Sequence, residues 1–156
     1  MAPPYNSGTT RRLKGAPVHL ERFSLSADEA ALPGLLDTIA RIVEQWGLAP
    51  ELGFRLATVL EELFLNTVHH GIGDRGDARV HLSLSRAAGD LAVVYEDDGI
   101  PYDPFRAADR RVLDEPADGR RVGGLGVLLV EGLAARARYD RVGNTNRIEL
   151  SFLCPR

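Results

Sequence analysis

The hydrophobic period of this chain changes between residues 67 and 80, and that change limits its fold more than any other feature. Between Leu32 and Thr67 apolar side chains recur every three or four residues, whereas from Val80 to Leu84 they alternate. The first spacing lines one face of a helix and the second lines one face of a strand. Leu32, Leu35, Leu36, Ile39, Ile42, Val43 and Trp46 predict an amphipathic helix that stops at Gly47. Ser26 and Glu29 have capping-box spacing ahead of it, and Pro33, which an interior turn does not tolerate, puts the start of regular helix at Pro33. Pro50 opens a second helix with Leu52, Leu56, Val59, Leu60, Leu63 and Thr67 on one face and Gly71 as its stop.

Strands surround this helical pair. Val18, Leu20, Phe23 and Leu25 alternate imperfectly, as in a half-buried strand. Val80, Leu82 and Leu84 form another, which turns at Ala88-Gly89-Asp90 into an apolar strand from Leu91 to Tyr95. A polar loop then leads to a short helix over Val127 to Ala135, and Arg136 to Val142 and Arg147 to Leu153 close the chain around Gly143-Asn144. This order predicts an α/β fold, a two-layer sandwich whose helices cover one face of a mixed, mostly antiparallel sheet. With 156 residues, 44% of them apolar, one domain over residues 17–156 can bury its own core, and residues 1–16 read as a flexible tail.

The net charge of −3 offers no broad cationic surface, so direct nucleic-acid binding is not expected. A single cysteine, Cys154, precludes an internal disulfide. No apolar run approaches the roughly 18–20 residues needed to cross a bilayer, and no secretory leader is apparent, so no membrane association and a cytoplasmic location are expected.

Three segments carry candidate chemistry. Glu62, Asn66 and His70, spaced i, i+4, i+8, share a stripe away from the Leu56, Leu60 and Leu63 face. Alone, such a stripe is an ordinary solvated face. With a nucleotide supplying phosphate oxygens, one Asn carbonyl and a nearby carboxylate suffice for Mg²⁺. Asp97-Asp98-Gly99-Ile100-Pro101 follows an apolar strand, where an acid can accept a hydrogen bond from a base amino group and a glycine lets the backbone approach the ring, although the same residues also make plain turns. Gly123-Gly124-Leu125-Gly126 before a helix frees backbone N–H groups for an anion. Arg110, Arg111, Arg120 and Arg121 in the preceding loop are either solvated or close over phosphate charge.

In this order the three segments resemble the boxes of a known family. Glu62-Leu63-Phe64-Leu65-Asn66-Thr67-Val68-His69-His70-Gly71 is similar to the N box of the Bergerat-fold (GHKL, histidine kinase-like) ATPases. The segment from Asp97 to Pro104 resembles the D-x-G box in the form found in anti-sigma factor serine kinases, and Gly123 to Val130 resembles the second glycine box. Pro101, where the wider superfamily often has Gly, suits the anti-sigma branch. The resemblance implies that ATP lies between helices and sheet under a lid over about residues 104–122. It implies Asn66 as the Mg²⁺ ligand, Asp97 as the reader of the adenine amino group and Gly99 as the residue that admits the base. Gly124 and Gly126 would cradle phosphates, and Gly123 would help to hinge the lid.

The resemblance also implies that Glu62 takes the position of the glutamate that orients or deprotonates a partner's serine in the kinase members; Glu61, about 100° around the helix, is the poorer base. The implied activity is a protein serine/threonine kinase that phosphorylates a small STAS-type anti-anti-sigma antagonist and holds a sigma factor inactive, with a homodimer as a further possibility. The alternative is a non-catalytic module of the same fold that sequesters a regulator. No helical hairpin with a phosphoacceptor histidine precedes the domain, so a complete sensor kinase is not expected. His69 reads as a surface imidazole, and His70 as part of the site wall.

Overall fold

β1 (His19–Ser26) forms one edge of a five-stranded sheet, and the chain leaves it through a 3-10 turn, Glu29–Ala31, into two consecutive helices, α1 (Leu32–Gln45) and α2 (Pro50–Asn66). β2 (Arg79–Ala87) and β3 (Asp90–Asp97) follow, and β4 (Arg136–Val142) and β5 (Thr145–Leu153) close the sheet. The computed structural model describes residues 19–87, 89–106 and 132–154. The expected tail at 1–16, most of the expected lid, the glycine box at Gly123, Gly124 and Gly126, and most of the helix at 127–135 lie outside the described residues.

The sheet order is β1-β2-β3-β5-β4, and all four pairings are antiparallel. β4 runs in the same direction as β3, but β5 lies between them, so no parallel pairing forms among the described strands. The sheet is thus antiparallel throughout its described pairings, where the sequence suggested a mixed, mostly antiparallel one. Tight turns make the two hairpins possible: Gly89 and Gly143 sit at φ 88° and 60°, a region that side chains with a Cβ seldom adopt.

The approach to the first helix departs from the sequence expectation. Ser26 is the last residue of β1, paired with Arg79, so it is committed to the sheet and forms no capping box with Glu29. The helix begins at Leu32 with Pro33 in its first turn, where the missing N–H has no partner to lose.

Leu35, Ile39 and Ile42 of α1 and Leu56, Val59, Leu60, Leu63 and Phe64 of α2 are buried against alternate residues of β2, β3 and β5. Each of these side chains stabilises the fold by roughly 1.5–3 kcal/mol through burial. The two helices approach closely at Gly53, where an added Cβ would come within 2.9 Å of Val43 Cγ1. The register sets the site. Val93 pairs with Leu150, Tyr95 with Ile148 and Asp97 with Asn146, so the row that is apolar in the middle of the sheet ends in an acid and an amide on the same helix-facing side. The opposite face is polar, with Arg147 bonded to Glu96 at 2.8 Å and to Glu149 at 3.0 Å.

Candidate functional site

α2 ends at Asn66, and the next turn, Thr67–Gly71, is a π-helical turn. Such wide turns are frequent at functional sites. Asn66 is only 7% exposed, and its Nδ2 has no hydrogen-bond partner among the described residues. This corrects the solvated-stripe reading for Asn66. Glu62 and His70 are half-buried, and His70 stacks on Tyr102 with ring centroids 5.7 Å apart. His69 is exposed, as its surface reading had it, and its Nε2 lies 2.5 Å from Glu29 Oε1.

Thr67 joins the end of α2 to the end of β3. Its hydroxyl accepts from the Tyr95 hydroxyl at 2.7 Å and donates to Asp97 Oδ2 at 3.3 Å. Tyr95 also lies 3.3 Å from the Leu63 carbonyl. Thr67, the residue that follows Asn66, thus ties the end of α2 to Asp97 at the end of β3. Asp97 is 4% exposed, and burial raises its pKa, against the hydrogen bonds from Asn146, Gly99 and Thr67 that favour its ionised form. Burial likewise raises the pKa of Glu62, with the neighbouring Glu61 charge adding to it.

Gly99 is required for a reason that the sequence did not give. An added Cβ would sit 2.3 Å from the Gly71 carbonyl oxygen, a backbone atom that cannot move aside. That carbonyl also accepts the Ile100 N–H at 2.8 Å, so the π turn and the loop after β3 are joined through their backbones.

Asn146 was missed. It is 2% exposed and holds the loop from within: Nδ2 donates to Asp97 Oδ1 at 2.8 Å and to the Ile100 carbonyl at 2.7 Å. Its position in Gly143-Asn144-Thr145-Asn146 reads as turn chemistry, although the alternation Asn146, Ile148, Leu150, Phe152 marks it as inward-facing. Arg55 of α2 donates through Nε to the Leu133 carbonyl at 2.9 Å, and Nη2 reaches the same oxygen, which ties α2 to the chain just ahead of β4. Among the described residues no group of three or more His, Cys, Asp and Glu is placed to hold a metal ion by itself.

The profile of the histidine kinase-like ATPase domain matches residues 25–152. The chain belongs to that family. A solved structure of the RsbU and RsbW domains of Rv1364c from Mycobacterium tuberculosis superposes with a TM-score of 0.62 at 16% identity, covering 90% of this chain and 34% of that one. The chain thus spans about a third of the length of that protein, and the likeness establishes the shared fold. The histidine kinase domain of the blue-light activated histidine kinase from Erythrobacter litoralis EL346 gives a TM-score of 0.49 at 22% identity, over 83% of this chain and 62% of that one. No curated protein sequence matches the chain significantly. As a histidine kinase-like ATPase domain, the chain carries an α/β fold built to bind ATP.

Proposed function

We propose that the chain is an anti-sigma-type regulatory kinase that binds Mg-ATP and phosphorylates a serine or threonine of a small antagonist protein. The observation that supports this reading is a buried amide nitrogen on Asn66, unpartnered among the described residues, one residue before the Thr67 whose hydroxyl bonds Asp97. The buried Asn66 Nδ2 without a partner fits a ligand that brings its own acceptors, such as phosphate oxygens. The Asn66 Oδ1 is the hard oxygen donor that Mg²⁺ takes, and the described residues supply no self-sufficient cage, which suits a cation whose remaining ligands come with the nucleotide. Mg²⁺, when bound there, supplies charge neutralisation on the phosphates.

The remaining roles belong to this chain's own residues. Asp97 Oδ2 accepts the adenine amino group, and Gly99 keeps the loop after β3 close enough to shape the base pocket. Gly124 and Gly126 cradle phosphates through backbone N–H groups, with Gly123 at the hinge. Glu62 takes the proton from the attacking hydroxyl as its oxygen bonds to the γ-phosphorus and the bond to the β–γ bridging oxygen breaks, which leaves ADP. The raised pKa of Glu62 makes its carboxylate a stronger base than a freely solvated one. The RsbW domain named in the Mycobacterium tuberculosis structure agrees with the choice of the anti-sigma branch, and the partners of this reading are a sigma factor and a STAS-type antagonist.

The test mixes the protein with Mg-ATP and candidate antagonist proteins. Glu62→Ala should lower phosphotransfer by roughly 10²–10⁴-fold, the usual size of a general-base contribution, while leaving nucleotide binding largely intact. ATP binding with no transfer to any antagonist would replace this reading with that of a non-catalytic module that sequesters its partner.

A further inference from the structure

We propose that Asn146 sets which purine the site accepts, by fixing the hydrogen-bonding sense of the Asp97 carboxylate; this rests on the adenine-nucleotide reading above. Asn146 Oδ1 faces three donors: the Tyr102 N–H at 3.2 Å, the Tyr139 hydroxyl at 2.8 Å and Arg141 Nη1 at 3.0 Å. A backbone N–H and a guanidinium can only donate, so the oxygen of this carboxamide must point toward them. Its Nδ2 then points toward Asp97 Oδ1 and the Ile100 carbonyl, both of which can accept. A flip would set N–H against the guanidinium and oxygen against the carboxylate, so the chemistry on both sides selects one orientation.

The consequence falls on Asp97. Its Oδ1 is filled by two donors, Asn146 Nδ2 at 2.8 Å and the Gly99 N–H at 3.0 Å. Its Oδ2 has one long bond, from Thr67 at 3.3 Å, and so keeps acceptor capacity. An acceptor at this point favours a base that offers an amino hydrogen and disfavours one that offers an oxo group. Arg141, which also donates to the Gly99 carbonyl at 2.9 Å, and Tyr139 are the residues that hold Asn146 in place. Asn146, Tyr139 and Arg141 are positioning residues; none has to touch the nucleotide.

The experiment compares binding of ATP with that of inosine triphosphate, which differs from it by a 6-oxo in place of the 6-amino group, to the full chain. The wild type should prefer ATP. Asn146→Asp turns an acceptor toward Asp97, so the two carboxyls share a proton and the sense of Oδ2 is no longer fixed; the ATP preference should fall by about 10-fold or more, the size of effect that one unsatisfied buried hydrogen-bonding group produces. Asn146→Ser, which keeps a hydroxyl donor, should restore part of the preference. Tyr139→Phe, which leaves Asn146 and the loop intact, should lower it by a smaller factor and serves if Asn146→Asp does not fold. An equal loss of affinity for both nucleotides, with the ratio unchanged in the variants that fold, overturns this inference and leaves the ATP reading standing. A wild type that binds neither nucleotide overturns both.

Discussion

Asp97 is the residue at which the demands of the fold and of the site meet. Burial holds its folded pKa above the ordinary carboxylate value, so the folded state favours the protonated form relative to the unfolded chain. The stability that this contributes is present below about pH 4, the unfolded value, and is lost as pH rises through the raised folded value. Asp97→Asn removes that slope, since an amide can keep an oxygen toward Asn146 and Gly99 and place its NH₂ at the Oδ2 position. Melting curves between pH 4 and pH 7 should therefore show the variant gaining on the wild type as pH rises. Its ATP affinity should fall by about 10- to 100-fold, because the acceptor at Oδ2 becomes a donor. Gly99 gives a second prediction at this scale. Gly99→Ala forces a methyl group onto the Gly71 carbonyl and should cost about 1–3 kcal/mol in urea unfolding, the usual cost of overpacking where backbone must shift.

Among the elements, α2 does the most, with an apolar face in the core and Asn66 at its C-terminal end. Leu60 lies fully buried on that apolar face, so Leu60→Ala should lower the unfolding free energy by about 2–5 kcal/mol, and the midpoint of a urea titration measures it. His69 illustrates how little an exposed link contributes. Its contact with Glu29 joins the π turn to the 3-10 turn, yet both side chains are about half exposed or more, so His69→Gln should change stability by less than about 1 kcal/mol in the same titration. The two long helices and the five strands of the described residues were legible in the sequence because a period of 3.6 or 2 is a property of many residues together. The π turn was not legible, since no residue type marks where a helix widens. Asn66 itself belongs to the regular helix, seven positions and about 20° round from the fully buried Val59, so the helical period already placed it inward, and only its polarity put it with the solvated stripe. Asn146 escaped for a related reason: a lone amide beside Gly143-Asn144 has the chemistry of a turn, and only its register opposite Asp97 gives it a different use. Gly99 was legible as a necessary glycine, but its reason was a carbonyl 28 positions earlier in the chain.

At the scale of the whole molecule, the reading as an Mg-ATP binder makes a thermodynamic prediction. A ligand that binds only the folded state adds about 2.7 kcal/mol at 100 times its Kd. For a domain of this size that corresponds to a rise in Tm of roughly 5–10 °C, measured with Mg-ATP and reduced when EDTA removes the cation. Occupancy should also reach the interior. Tyr95 is fully buried, yet its hydroxyl is one link from Asp97, through Thr67, so a base amino group that bonds to the acceptor capacity left on Asp97 Oδ2 weakens the pull of that oxygen on the Thr67 hydroxyl and is felt along that line. The molecule thus carries a built-in optical gauge: a phenol sealed from solvent whose near-ultraviolet absorption should shift when adenine arrives and stay fixed when triphosphate alone is added.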